Sequence, residues 1–430
     1  MKKLLLLSDA PGSPTGLGGQ ASIIYNAATK AGFHVTAGNL CIPERHEYPP
    51  RVVHAPGMVP MYLVDVPAAA DHLGYILTEL RPDQIVCLAD GWMLGALHHF
   101  PQEILDKVHF WTTADHELFP EAFRGFMESI GSLIFMSDFG AASWGPGLNR
   151  HGKRTETIYH GVDPKTFRPL PPSTFEAQRK ALGTFGHFIL AHVGRNQWRK
   201  QQPLLIEAWV RFVRGLRREY QEKVTLYLHT EEYSAPSIPA YGDPVITALS
   251  ALFSGWNLKR FIQKYYTKEE ASTIRFSERG ATKDQLVALY NIADAHALVS
   301  VGEGFGVPLI EAQACGTPNI SADNTTTPEI VGGNDVLIKG MRVYERSKLS
   351  TAPFGWRVPC NSFQVQPDFS GKRPLIDVDA MADAIFDAFE HWRLGQLKSQ
   401  EAIDSRVEWT LEKYSSDKIL QQWEQICREF

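Results

Sequence analysis

Short apolar runs of strand length recur along this chain, each followed by a longer mixed segment. That rhythm is the signature of a parallel sheet wound with crossover helices. Leu4–Leu7, Val35–Ala37, Gln84–Leu88, Val108–Trp111, Leu133–Met136 and Thr157–Tyr159 carry it as far as about Pro164. Arg168-Pro169-Leu170-Pro171-Pro172 then breaks the rhythm, and Phe188–Val193 restarts it. The second half predicts a helix from Pro203 to Tyr220, strands at Val224–Leu228, Ile274–Phe276 and Ala295–Val299, and helices over 283–292 and Val307–Ala314. Two Rossmann-like α/β domains are expected, over 1–167 and 187–400, with a linker at 168–186. A closing C-terminal helix at about 401–430 has the option of packing back on the first domain. The region 231–268 is longer than a simple connection needs, and 341–374 reads as a loop or small hairpin rather than a core element.

Length supports the division, because 430 residues exceed what one hydrophobic core ordinarily holds. Hydrophobic content of 44%, charged content of 21% and a net charge of -5 place the chain among ordinary globular proteins rather than disordered, fibrous or strongly polyanion-binding ones. A local basic face on a mildly acidic protein still leaves room for a nucleic-acid partner. The five cysteines, Cys41, Cys87, Cys315, Cys360 and Cys427, are scattered without a CxxC pair, against a disulfide framework or a zinc site. A cytoplasmic setting fits that usage. The apolar run after Met1-Lys2-Lys3 stops at Ser8-Asp9, too short for a signal sequence, and nothing approaches the roughly 18 apolar residues of a membrane span.

Chemistry concentrates in the second half. Glu303-Gly304-Phe305-Gly306 opens the helix expected from Val307. A glycine-rich turn before a helix presents unhindered N–H groups and a favourable dipole to a phosphate. Glu311 lies two helical turns beyond Glu303, so both carboxylates can serve one cleft. Arg195 and Lys200 follow the strand ending at Val193, where a loop meets the carboxyl edge of the sheet; two fixed cations there suit a leaving diphosphate.

The stretch from Phe276 to Val331, centred on Glu303-Gly304-Phe305-Gly306-Val307-Pro308-Leu309-Ile310-Glu311 and Ala314-Cys315-Gly316-Thr317-Pro318, closely resembles the donor-binding half of the family four retaining glycosyltransferases, the glycosyl transferases group 1 of GT-B fold. Thr157-Ile158-Tyr159-His160-Gly161-Val162-Asp163, Phe167-Arg168-Pro169 and Val193-Gly194-Arg195 with Lys200 are similar to the same family. The resemblance implies two Rossmann-like doubly wound domains facing across a cleft. It also implies a nucleotide diphosphate sugar as co-substrate, UDP or GDP sugar, with no bound cofactor or metal, and transfer with retention. It places Glu311 on the ribose hydroxyls, Glu303 with the Gly304, Phe305 and Gly306 backbone at the donor sugar, and Arg195 and Lys200 at the leaving phosphate, with Arg199 able to substitute for either. Gly18 and Gly19 would form a flexible loop over the phosphates, and His116, or Asp115 in its stead, would lie near the sugar. Asp90 is a candidate for the acceptor side.

The acceptor stays open among saccharide, lipid, small metabolite and modified nucleobase in DNA. The last option rests on Thr15-Gly16-Leu17-Gly18, Ala89-Asp90-Gly91-Trp92 and Arg195-Asn196-Gln197, which look similar to a phage- and bacteria-associated branch. A sugar phosphorylase and a non-catalytic nucleotide-sugar binding protein are the rival readings. Leu228-His229-Thr230-Glu231 stands where the family has a Gly-Asp/Glu-Gly turn, a departure at the base-binding side. Asp377-Val378-Asp379 imitates a metal-binding DxD but precedes a helix and reads as an N-cap. Arg211, Arg214, Arg217 and Arg218 read as a solvated basic face.

Overall fold

The computed structural model describes all residues except 14, 40–57, 61–65, 92–93, 95–96, 98–99, 234–254, 278–281, 333–349, 353 and 366–370. The chain forms two compact units, one comprising Met1–Asp163 with Tyr414–Phe430, the other Pro164–Lys413.

The first unit is built on seven strands: β1 (Lys3–Ser8), β2 (His34–Asn39), β3 (Met58–Pro60), β4 (Gln84–Ala89), β5 (Val108–Thr112), β6 (Ser132–Phe135) and β7 (Arg154–Thr157), in the order β3-β2-β1-β4-β5-β6-β7. Every pairing is parallel. Helices cover both faces, so β4 and β5 are buried nearly throughout instead of alternating, and all of β4 after Gln84 is apolar. Strand order reverses between β1 and β4, which opens a crevice at the carboxyl ends of those strands. The helix Ser416–Glu429 belongs to this unit: Trp423 is fully buried and meets the Trp111 ring edge-on at 5.2 Å.

The second unit repeats the design with β8 (Phe188–Val193), β9 (Val224–His229), β10 (Ile274–Phe276), β11 (Ala295–Leu298), β12 (Asn319–Ala322), β13 (Ser350–Ala352) and β14 (Gly355–Val358), in the order β10-β9-β8-β11-β12-β14-β13. All pairs are parallel except β13 with β14. Phe188, Trp209, Phe212, Trp356, Met381 and Phe389 anchor its core. Here the order reverses between β8 and β11.

Three expectations change. The segment 168–186 is not a bare linker: Pro172–Ala181 is a helix begun by proline at its first position, and its Arg179 is buried against Asp294 at 2.8 Å. The segment 341–374 includes a core strand, because β14 inserts Trp356 and Val358 into the hydrophobic core and its polar Arg357 is neutralised by Asp323 at 3.0 Å. The C-terminal stretch divides. The helix Gln400–Tyr414 belongs to the second unit as far as Lys413 and is tied there by Arg406, whose guanidinium donates to the Gly316 carbonyl, and Ser415 caps a new helix through Lys418 N. The parts of 231–268 and 341–374 at 234–254, 333–349 and 366–370 lie outside the described residues. Among the described residues no helix is long and apolar enough to cross a membrane.

Candidate functional site

The loops leaving β8 and β11 are neighbours at the switch point of the second sheet, where a doubly wound fold presents ligands. After β8, Gly194 to Gln197 lead into a single 3-10 turn, Trp198–Lys200, and Gln201 adopts the left-handed region at φ 50 before the helix Gln202–Gly215. Asn196, fully buried, fixes this loop from the side. Its Nδ2 donates to the carbonyls of Glu231 (2.9 Å) and Trp256 (2.7 Å), and its Oδ1 accepts from Trp256 N at 2.8 Å. Gln202 Nε2 donates to the Arg195 carbonyl at 2.8 Å. Arg195 itself is exposed at the head of the loop.

The loop after β11 is stitched to the first through the Arg199 carbonyl, which accepts from Val301 N at 2.9 Å and Ser300 Oγ at 3.1 Å. Glu303 follows, buried, with Lys200 Nζ donating to its Oε1 and Arg199 Nη1 3.3 Å from its Oε2. Burial opposes ionisation of this carboxyl, but attraction to Lys200 and then Arg199 outweighs it and holds Glu303 below the ordinary glutamate range. The segment Thr325–Thr327 supports the loop from beneath. Glu303 N donates to Thr325 Oγ1 at 3.1 Å, and Thr326 Oγ1 donates to the carbonyls of Glu303 (3.1 Å) and Phe305 (2.8 Å). Thr325 does so at φ 44, a strained conformation for a β-branched residue. Gly306 turns at φ 99, a region that only glycine enters freely, and the helix Val307–Ala314 starts there with no side-chain cap. Gly304, Phe305 and Gly306 therefore sit beside the cationic pair at an open helix N-terminus, an arrangement suited to an anion.

Glu311 lies on that helix with Tyr290 Oη donating to its Oε2 at 2.9 Å. The residue keeps partial exposure, while desolvation of its carboxyl pushes the pKa up to about 7 against the opposing effects of the Tyr290 hydrogen bond and Lys283. Nothing in the spacing of Tyr290 and Glu311 announced this contact.

Gly18, Gly19 and His116 belong to the first unit, at the carboxyl edge of its own sheet. The glycines differ from the expected loop: they lie in the first turn of the helix Gly16–Lys30, where Thr15 is the N-cap. Gly18 N already donates to Thr15 Oγ1 at 3.0 Å and Gly19 N to the Thr15 carbonyl at 3.1 Å. Gly18 instead permits close packing, since a Cβ there would stand 2.9 Å from the Ala10 carbonyl oxygen. His116 is buried, its Nδ1 3.1 Å from Asp115 Oδ1 and its ring edge-on to Trp144. Asp90 Oδ1 accepts from Thr113 Oγ1 at 2.7 Å.

Residues 248–346, spanning the whole of this Glu303 to Glu311 arrangement, match the protein family described as Glycosyl transferases group 1. This part of the chain is similar to the group 1 glycosyltransferases. Its two parallel sheets have the GT-B fold: HepE of Anabaena in complex with UDP-glucose superposes over the full length of both chains with a TM-score of 0.62 at 15% identity. A stretch of 56 residues is 39% identical to the serotype-specific mannosyltransferase WbdA of Escherichia coli, which is 13% of this chain and 7% of that protein. A D-inositol 3-phosphate glycosyltransferase of Corynebacterium urealyticum is 26% identical over 54% of this chain and 51% of its own length. The chain thus spans about half or less of the length of these curated relatives.

The decoys of the sequence resolve structurally. Asp377 accepts from the backbone N–H groups of Asp379 and Ala380 as a helix N-cap. On the basic face Arg211 pairs with Glu207 and Asp379, Arg214 with Glu270, and Arg217 approaches Glu219. Among the described residues no cluster of three His, Cys, Asp or Glu side chains has the makings of a metal site, and Cys87, Cys315 and Cys427 are free thiols.

Proposed function

We propose that this protein transfers a sugar from a nucleotide diphosphate sugar, a UDP or GDP sugar, to an acceptor hydroxyl with retention of anomeric configuration and without a metal ion. The observation that carries the reading is the ionised Glu303 between Lys200 and Arg199 beside the uncapped helix Val307–Ala314. That surrounding offers cations and backbone donors to a diphosphate and a carboxylate to sugar hydroxyls. In the proposed step the bond from the anomeric carbon to the phosphate oxygen breaks, and Lys200 and Arg195 stabilise the charge on the departing diphosphate. The acceptor oxygen bonds to the same face, and a leaving phosphate oxygen takes its proton. The fold neighbour HepE was solved in complex with UDP-glucose, which supports the donor class.

The first unit, which contains the acceptor-side candidate Asp90, carries 13 Lys and Arg against 20 Asp and Glu, whereas the second carries 30 against 28. Polyanion binding draws its affinity from cationic contacts. The acidic unit therefore favours a saccharide or other neutral hydroxyl compound over DNA.

Incubation with an α-linked nucleotide sugar in excess EDTA is expected to give product whose fresh proton NMR spectrum shows an α-anomeric linkage. A β-anomeric coupling overturns retention. Product that forms only after a divalent ion is restored overturns metal independence.

Glu311 supplies a second test. To accept hydrogen bonds from both ribose hydroxyls its carboxyl must be ionised, so donor binding expels a proton whenever the pH is below about 7. Affinity for the nucleotide sugar is then expected to fall by about tenfold per pH unit below that point, until the pKa of the bound form is reached. In Glu311→Gln the profile flattens and affinity at pH 8 drops by roughly ten- to a hundredfold, as lost hydrogen bonds of about 1–3 kcal/mol require. Titration calorimetry from pH 5.5 to 8 reads both; parallel profiles for the two proteins would remove Glu311 from the ribose.

A further inference from the structure

We infer that Arg199 is a positioning residue, the counter-ion that stays with Glu303 so that Lys200 is released to the donor phosphates. This rests on the donor-site reading above. Glu303 is buried and takes Lys200 on Oε1 and Arg199 on Oε2. These are the cations that hold it ionised among the described residues. One ammonium group cannot serve a buried carboxylate and a diphosphate at full strength at once, and a buried carboxylate stripped of its cation is costly. Arg199 removes the conflict.

Its geometry suits a stationary role. The same Nη1 that reaches Glu303 donates to the Gly302 carbonyl at 3.1 Å, and the Arg199 carbonyl accepts from Val301 N and Ser300 Oγ. Both ends of the residue are thus fastened to the loop that carries Glu303. Lys200 stands at the end of its 3-10 turn, next to the left-handed Gln201, on a stem whose single ammonium can swing between two anions. Guanidinium and ammonium therefore divide the work: Arg199 orients the carboxylate, and Lys200 moves.

The test is a double-mutant cycle read by calorimetry at pH 8. UDP, GDP and ADP are titrated first, and the tightest is used throughout. Arg199→Ala is expected to weaken nucleoside diphosphate binding about tenfold or more, because Lys200 is then retained by Glu303. Glu303→Gln alone is expected to bind at least as tightly as the parent. The combination Arg199→Ala with Glu303→Gln is expected to return to within about threefold of the parent, since the carboxylate that captured Lys200 is gone. Arg199→Lys should recover part of the loss.

A double variant as weak as Arg199→Ala overturns the inference, because Arg199 then touches the nucleotide itself or only supports the loop. Parent-like binding by Arg199→Ala overturns it while leaving the donor site intact. If Arg199→Ala does not fold, Arg199→Gln is carried through the same cycle with the same criteria. Absence of binding by all three nucleotides to the parent protein defeats the donor-site reading and this inference together.

Discussion

Lys200→Ala is expected to lower kcat by about 10²-fold or more, with a much smaller change in KM for the nucleotide sugar. The ammonium is buried at the switch point of the second sheet beside Glu303, in a site with little water to screen it. Charge on the diphosphate grows as the bond to the sugar breaks, so a cation held there acts more on the transition state than on the bound donor. Arg195→Ala is expected to move kcat in the same direction. Initial rates at saturating donor decide it, measured with an acceptor or as slow transfer to water; a change confined to KM would assign Lys200 to ground-state binding.

The second large effect concerns stability. Arg179→Ala is expected to destabilise the second unit by about 3–5 kcal/mol near neutral pH, the usual result of stripping one partner from a buried ion pair. Arg179 Nη2 meets Asp294 Oδ1 at 2.8 Å, and its Nε donates to the Ile292 carbonyl at 2.9 Å. Asp294 Oδ2 also accepts from Ile189 N at the start of β8, so the pair ties the helix Pro172–Ala181 to two strands of the sheet. Burial raises the Asp294 pKa above the ordinary carboxylate value, with Arg179 pulling against it. Without Arg179 the pKa rises further. The sign follows: a folded-state pKa above the unfolded value penalises folding at higher pH, and the penalty disappears as the acid is protonated in both states. The stability difference between parent and Arg179→Ala should therefore shrink as pH falls toward 4. Denaturant melts at pH 7.5 and 5 measure it, and a difference that grows on acidification would contradict the ion-pair account.

Where local pattern governs, the sequence was readable to the residue. The helix Lys283–Ile292 begins where Thr282 and Gln285 form a capping box, and Val307–Ala314 begins at Gly306 with Pro308 in its first turn. The pairing of two Rossmann-like units was legible because strands buried on both faces must be nearly all apolar. Partners brought together by topology left no such trace. Lys200 and Glu303 are 103 residues apart in the chain, and Tyr290 reaches Glu311 across two helices. The strand β14 was hidden because Gly355 and Arg357 interrupt its apolar pattern, and only the Asp323 pairing makes a buried arginine there acceptable. The resemblance implied a loop at Gly18 and Gly19, but the Thr15 cap starts the helix ahead of them.

The path of the chain gives the two units unequal independence. Residues 164–413 are one uninterrupted segment bracketed by the two stretches that make up the other unit, so the second unit is an insertion within the first. A fragment cut after Asp163 would keep all seven strands of its sheet yet lose Tyr414, Ile419 and Trp423, each almost wholly buried. Trp111 and the helix Gly16–Lys30 would then present bare apolar surface to water. The excised 164–413 segment keeps its core cluster whole. Modular dissection of this protein therefore runs in one direction: the second unit can be lifted out as a single piece, while its host must be rejoined across the gap.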